Sequence, residues 1–471
     1  MLKILIINPP TFARQNYIRE GRCMQATSSW GSLWMPLSLA STAAILRENN
    51  NSVQLIDCQA ENMNTSQLLS AVNEFKPSVL VVNTGFPSIV GDMQTAAAIK
   101  KRFQNIKIVA IGMYPTLLKK KMLEQYQSID YAVVGEPEWI VNDLVDATEN
   151  DKPLSSLKGL VFRDSLEIIE NSPQCFDDNQ IEDLPFPTRD LLKNDAYRHV
   201  SDNEKFTHVN IARGCPHNCT YCAAHHYYGK KIRKRSINSI IKELNECITK
   251  YQIRKFVFWS ESFTLERDFG IQICDKIIQN NLEIAWYTRS RVDNLDLELL
   301  EKMKNAGCKG ISIGIESPNN EILSACKKNI TVDQINNAIQ MANQVGIHIT
   351  GHFVFGLPGD DYESAMETIK FACQSKLDFA QFYCAVPYPQ TDLWKTAVKN
   401  NWIESCDYSR YHLADSVMRN ESLSCKDIKN LRKKAFKSFY RKPDTITNAI
   451  KLVIKNKSVT PHIGFMKWSK A

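Results

Sequence analysis

Three cysteines, Cys215, Cys219 and Cys222, stand in the stretch "NIARGCPHNCTYCAAHH" (residues 210–226), directly after an apolar run that reads as a strand. A thiolate is a soft metal ligand, and three at this spacing on one loop point to a metal centre. A structural zinc site takes four protein ligands, and an iron–sulfur cluster of the ferredoxin type takes four thiolates. Three thiolates on a four-iron cluster leave one iron open to a ligand that is not protein. His217, His225 or His226 would instead complete a zinc site of three cysteines and one histidine. The spacing alone leaves both chemistries standing.

The elements around this loop say where it sits. "THVNIAR", "KFVFWSE", "IAWYTRS", "GISIGIES", "HITGHFVFGLP" and "FAQFYCAVPYP" read as six strands, with amphipathic helices such as "SINSIIKELNECITKY" and "TVDQINNAIQMANQVG" between them. Six βα units are two short of a closed (β/α)8 barrel, so residues 206–390 are expected to form a partial barrel. Its site belongs at the carboxyl ends of the strands, where the cysteine loop falls. Residues 1–150 hold a second series: "KILIINPP", "SVQLIDC", "PSVLVVNTG", "IKIVAIGMYP" and "DYAVVGEPE" are short β-branched runs, each followed by a helical pattern. This predicts a doubly wound, Rossmann-like α/β domain whose ligand-facing strand ends carry Asn8, Asp57, Asn83, Gly112 and Gly135. Between them, residues 151–205 hold a hairpin pattern ("LVFRDSLEIIENSP") and a proline-bearing connector ("IEDLPFPTRDLL"), and are expected to be a linker. Residues 391–471 are expected to be a helical, basic extension.

Length and composition agree with this division. At 471 residues the chain exceeds what one hydrophobic core supports, and 44% apolar residues suffice for several. No apolar run reaches the roughly 18–20 residues of a membrane span, and "MLKILIINPP" is too short for a signal peptide, so a cytoplasmic protein with reduced thiols is expected. The net charge of +7 is concentrated: residues 426–457 carry +9 and the rest −2. Ile428, Leu431, Ala435 and Phe439 recur there at helical spacing, which predicts an amphipathic helix whose basic face meets water, an anionic substrate or a membrane surface. No motif for nucleic-acid recognition accompanies it, and nucleic acid is not an expected partner.

Cys215, Cys219 and Cys222, with Tyr221 before the last, form the CxxxCxxC pattern, and in this position the sequence resembles the radical S-adenosylmethionine enzymes. The likeness extends over nearly the whole chain. "WMPLSLASTAAIL", "VVGEPE", "LPFPTRDLL", "AGCKGISIGIES", "FGLPGD" and "FYRKP" follow the order of the subgroup with an amino-terminal cobalamin-binding domain, the family of the anaerobic magnesium-protoporphyrin cyclase, hopanoid-modifying enzymes and many radical methyltransferases. The resemblance implies a 4Fe–4S cluster held by the three cysteines, S-adenosylmethionine on its open iron, and cobalamin as methyl carrier. It implies methyl transfer to an unactivated carbon or phosphorus of a small natural-product or lipid precursor, with radical cyclisation, ring contraction or another rearrangement as the alternative. A cobalamin sensor with structural zinc is the non-enzymatic alternative. A reducing partner such as flavodoxin or ferredoxin is also implied.

Site residues follow from the same resemblance. S-adenosylmethionine contacts fall on Tyr221, Glu261, Arg291 (with Arg289 competing), Ser312, Glu316 and Gly356, with Gly356 and Gly359 also read as turn glycines. Cobalamin contacts fall on Asn8, Pro9, Trp34, Pro36, Thr84, Gly85, Gly112 and Glu136. No catalytic acid or base is singled out; Tyr383, Cys384, Tyr388, His348 and His352 lie near the expected mouth. Two departures stand out. Cobalamin domains often carry DxHxxG with a cobalt-ligating histidine, and here "DCQAEN" puts Gln59 in its place; Met113 and Tyr114 replace a small glycine-rich turn, where bulk would crowd a corrin.

Overall fold

The structure, a computed structural model, describes residues 1–13, 15–27, 31–165 and 167–442. The part of the predicted basic helix beyond residue 442 lies outside the described residues. The chain divides into two compact units: Met1–Tyr197 with Ala223–Gly229, and Arg198–Cys222 with the chain from Lys230 onward.

The first unit is built on a seven-stranded sheet. Strands Ser52–Asp57, Lys3–Asn8, Val79–Thr84, Lys107–Gly112 and Tyr131–Val133 lie side by side in that order, all parallel. The central strands are buried on both faces, as a parallel sheet covered by helices requires, with Val79–Thr84 buried at every position, whereas the edge strand Ser52–Asp57 is only partly buried. The order reverses direction between Lys3–Asn8 and Val79–Thr84, a switch point of the kind where α/β sheets hold ligands. The hairpin Leu160–Asp164/Glu167–Glu170, expected within a linker, continues this sheet as two antiparallel edge strands. The sequence pattern identifies a hairpin but not what it pairs with. A second hairpin, Tyr17–Glu20 with Cys23–Ala26, intervenes before the buried helix Leu37–Glu48.

The second unit holds the six expected barrel strands, Phe206–Asn210, Lys255–Trp259, Ala285–Ser290, Cys308–Glu316, His348–Phe355 and Phe379–Cys384, parallel and in sequence order. Alternation decides what each face does. Ile311, Ile313, Ile315, Phe353, Phe355 and Phe382 point toward the helices and form one apolar core with Ile240, Leu244, Leu299 and Ile335. The opposite residues, among them Arg289, Ser312, Thr350 and His352, are only half buried, so the inner face of the partial barrel is open and polar. Helices begin where the sequence supplies caps: Thr331, Asp361 and Ser424 each form a capping box, typically stabilising by about 1 kcal/mol.

The carboxyl-terminal helix Cys425–Tyr440 packs on this unit. It runs against the last strand, where Arg432 Nε donates to the Phe382 carbonyl (2.9 Å) and Tyr440 Oη to that of Ala380 (2.8 Å). Among the described residues no helix is long and apolar enough to cross a membrane.

The "FGLPGD" turn ends the fifth strand. Gly356 and Gly359 both have φ of +82°, and a Cβ on Gly356 would lie 2.5 Å from Ile428 Cδ1. The buried Asp360 carboxylate accepts from Gly356 N (2.8 Å) and Ser364 Oγ (2.5 Å). Burial nonetheless raises its pKa to about 6, the hydrogen bonds only partly opposing it. A carboxyl whose pKa is raised on folding contributes stability present below its unfolded value and lost as pH rises through its folded one. Relative to Asp360→Asn, the wild-type protein should therefore lose up to roughly 3 kcal/mol between about pH 4 and pH 6, read from urea midpoints. A pH-independent difference would contradict this account.

Candidate active site

In the barrel unit the cysteine loop leaves the first strand through Gly214. Gly214 has φ of +97°, and a Cβ there would lie 1.9 Å from the Lys231 carbonyl, so only glycine permits this turn. Cys215, Cys219 and Cys222 are all half-exposed, which suits thiols that must reach a bound group. Cys274, Cys326 and Cys384 are buried, and burial pushes each thiol up to about 12. The donor set on the loop is thus three accessible thiols. Positive charge lies within electrostatic reach of Cys219, from both Arg291 and Lys328. Three accessible thiols in an electropositive setting fit a four-iron cluster with one iron left open. Among the described residues no three His, Cys, Asp or Glu side chains converge to hold a single metal ion. His217 is half-buried on the same loop, its pKa lowered by burial and then by Arg291. His225 and His226 lie on the short helix Ala224–Tyr228 of the other unit.

The loop is tied down by backbone and side chain. Thr220 N donates to the Cys326 carbonyl (3.0 Å), and Leu393 N donates to that of Thr220 (2.8 Å). Tyr221 Oη donates to Glu316 Oε1 (2.8 Å), the same oxygen that accepts from Lys328 Nζ (2.7 Å). Burial opposes charge on both Glu316 and Lys328, yet mutual attraction prevails. The carboxyl is held below its ordinary range and the amine above.

Tyr221 and Glu316, expected separately at the cofactor, are thus bonded to each other. Glu316 follows a register shift in its strand and has φ of +61°, and its carboxylate folds back over Gly314 instead of continuing the alternation with Ser312. Arg291 has left the third strand. Its guanidinium is held bidentately by Asp293 (2.9 Å twice) and donates to the Lys328 carbonyl (2.8 Å). Arg289, the competing candidate, stays on the inner face, its guanidinium carbon 4.3 Å from the Trp259 ring centre. It is in register with Ser312, which is in register with Thr350, so the three form one row across the inner face. His352 and Tyr383 lie beyond this row, Nδ1 and Oη 2.9 Å apart. Glu261 is half-buried just past the second strand, whereas Gly356 packs against the carboxyl helix. His348 sits at the start of its strand, paired with Asp378 (2.7 Å).

In the first unit the strand ends meet a polar network. Asn8 Nδ2 donates to Asp57 Oδ1 (2.9 Å), and Tyr197 Oη donates to Asp57 Oδ2 (2.8 Å). Arg19, from the hairpin Tyr17–Ala26, donates through Nη1 to Asn8 Oδ1 (2.9 Å), through Nη2 to Asp92 Oδ1 (2.7 Å) and through Nε to Ser88 Oγ (2.9 Å). Burial pushes the Asp57 and Asp92 carboxyls up, against Tyr197 and Arg19 respectively. Glu20 accepts from Ser38 N (3.1 Å) in the first turn of Leu37–Glu48, just after Pro36, where a negative charge suits the helix dipole. Gln59, in the place of the missing histidine, is buried and bonded to both Tyr17 N (2.6 Å) and Tyr17 O (3.2 Å), which commits its amide to the hairpin. Met113 and Tyr114 are buried, Tyr114 against Phe86 with ring centres 5.0 Å apart.

Of the expected cobalamin contacts, Asn8 is engaged by Arg19 and Asp57, while Thr84 Oγ1 donates to the Ile111 carbonyl (2.8 Å) and Gly85 N to Asp92 Oδ2 (3.3 Å). Gly112 has φ of +107°, with the Thr84 carbonyl 2.3 Å from a notional Cβ. Pro9, Pro36 and Glu136 are buried at element ends, and Trp34 is half-buried. Arg19, Asp92, Tyr197 and Lys328 were not among the expected site residues.

The chain matches the model of the radical SAM superfamily over residues 209–372 and that of the B12 binding domain over residues 26–145. It is 32% identical over 467 residues to an uncharacterised methyltransferase of Pyrococcus horikoshii, covering 99% of this chain and 96% of that one. It is 24% identical to the anaerobic magnesium-protoporphyrin IX monomethyl ester cyclase of Cereibacter sphaeroides, covering 92% of this chain and 70% of that one. The fold is similar to that of OxsB, a cobalamin-dependent S-adenosylmethionine radical enzyme solved with aqua-cobalamin and S-adenosylmethionine, with a TM-score of 0.77 at 16% identity, covering 100% of this chain and 71% of that one.

Proposed function

The chain belongs to the radical S-adenosylmethionine enzymes that carry a B12-binding domain, and from that premise we propose that it transfers a methyl group to an unactivated carbon or phosphorus of a small natural-product or lipid precursor. Its cofactors are a 4Fe–4S cluster, S-adenosylmethionine and cobalamin. The observation that carries the proposal is that one chain holds both a loop with three accessible thiols in a six-stranded partial barrel and a B12-type α/β unit. When bound, the cluster supplies the electron that cleaves S-adenosylmethionine, and cobalamin supplies the methyl group.

The chain's own residues divide the remaining work. Cys215, Cys219 and Cys222 would hold the cluster and leave one iron to the amino and carboxylate groups of S-adenosylmethionine. Arg289, on the inner face of the barrel and in register with Ser312, would meet that carboxylate. Ser312 and Thr350 extend the row from Arg289 with hydroxyls that would orient the ribose or the substrate. His352 and Tyr383 offer a hydrogen-bonding pair to a polar substrate group. In the first unit, Asn8, Thr84, Gly85, Gly112 and Glu136 mark the strand ends that would meet cobalamin. With Gln59 committed to the hairpin, no side chain at the histidine position is left to ligate cobalt. Reduction by a flavodoxin or ferredoxin, and contact of the basic helix Cys425–Tyr440 with an anionic surface, belong to the same proposal.

The cyclase relative favours a second reading, rearrangement without methyl transfer. Anaerobic incubation of the reconstituted protein with S-adenosylmethionine, hydroxocobalamin and a reductant, followed by mass analysis, separates the two. Methyl transfer is expected to give 5′-deoxyadenosine together with S-adenosylhomocysteine. 5′-Deoxyadenosine without S-adenosylhomocysteine would replace methylation by rearrangement.

A further inference from the structure

Three non-glycine residues with positive φ surround one buried ion pair. Glu316 has φ of +61°, and Lys327 and Asn329, on either side of Lys328, have φ of +53° and +54°. Such backbone persists only where the surroundings impose it, and a strand irregularity next to it marks a place where a side chain has been re-aimed. What is re-aimed here is a carboxylate and an ammonium, 6% and 7% exposed. Lys328 Nζ meets Glu316 Oε1 at 2.7 Å, and Gly314 leaves the space, since a Cβ there would lie 2.6 Å from that oxygen and 2.7 Å from Nζ. Tyr221, between Cys219 and Cys222, donates to the same oxygen. The backbone repeats the connection: Thr220 N bonds to the Cys326 carbonyl, and Arg291 bonds to that of Lys328.

A buried ion pair rarely adds net stability over an apolar pair of the same shape, so a pair kept at this cost in strain needs another reason. Its position supplies one. The Lys328 charge lies within electrostatic reach of Cys219, in a setting where water screens it little. Reducing an iron–sulfur cluster adds negative charge, which a fixed neighbouring cation favours.

Resting on the reading that these thiols hold a cluster, we infer that Lys328 is a positioning residue for it. Through Glu316 and Tyr221 it clamps the cysteine loop, and beside Cys219 it holds a permanent positive charge that raises the cluster's reduction potential. The two roles come apart by variant. Lys328→Met removes the cation beside the loop, so the reduction potential should fall. Lys328→Arg should restore most of the difference. Tyr221→Phe removes only the hydroxyl link, so iron should be lost to a chelator several-fold faster with the potential nearly unchanged.

The measurements are iron content, chelator-driven iron release and an electron paramagnetic resonance redox titration on the anaerobically reconstituted full chain without S-adenosylmethionine. If Lys328→Met does not fold, Glu316→Gln serves for the charge role, with an expected rise in potential because an anion is removed. Wild-type potential in the charge variant together with wild-type release in Tyr221→Phe overturns the inference. Wild-type protein that binds no iron overturns the cluster reading, and this inference with it.

Discussion

Alanine at any one of Cys215, Cys219 or Cys222 is expected to reduce iron from about four per chain to below one and to abolish 5′-deoxyadenosine formation. The loop supplies three thiols in all, so a variant would keep only two to hold the cluster. The fold should survive, because all three thiols are half-exposed and lie outside the apolar core of the barrel unit. The melting temperature of the unreconstituted protein should therefore move by only a few degrees. Cys274→Ala is the control. That thiol is buried, and its loss should cost stability while iron content stays at the wild-type level. Full iron loading of a loop-cysteine variant would remove that residue from the ligand set.

Arg19→Met is expected to destabilise the first unit by about 3–5 kcal/mol, a large part of what a domain has in total. The Arg19 and Asp92 side chains are 1% and 0% exposed, so removing the guanidinium leaves a carboxylate buried without its counter-charge. It also releases the bonds to Asn8 and Ser88, and with them the hairpin that holds Gln59. Urea unfolding of the full chain should show the loss, and hydroxocobalamin uptake, followed by absorbance, should fall with it. The double variant Arg19→Met/Asp92→Leu should recover only the part of the loss due to charge imbalance, since the buried groups of Asn8, Ser88 and Gly85 still lose their partners. A single variant within 0.5 kcal/mol of wild type would mean that the pair does not brace this unit.

The cysteine loop and the order of strands were legible in the sequence because each depends on neighbours a few residues away: ligand spacing in one case, short apolar runs in the other. The polar networks were not. Arg19 meets Asp92 across 73 residues, Tyr221 meets Glu316 across 95, and Tyr197 meets Asp57 across 140. A lone Arg19 in "YIREGR" or Lys328 in "ACKKNIT" reads as surface charge until the fold supplies its partner. The different surroundings of Arg289 and Arg291 depend on where the third strand ends. The strand stops at Ser290, so Arg291 escapes the alternation that keeps Arg289 on the inner face. Glu316 and Ser312 should share a face by strict alternation, but the register shift and positive φ at Glu316 break the rule. The hairpin Leu160–Glu170 was legible as a hairpin, while its place at the edge of the first sheet depended on tertiary pairing.

The helix Cys425–Tyr440 takes the place of a seventh strand. Arg432, Tyr440 and the Leu413 carbonyl engage main-chain groups of Ala380, Phe382 and Cys384 along the margin that an unclosed barrel leaves bare. A bare margin of that kind is a template for sheet-to-sheet association between molecules. A chain cut before Cys425 would therefore meet its own copies as competitors for those groups, and self-association would displace productive folding.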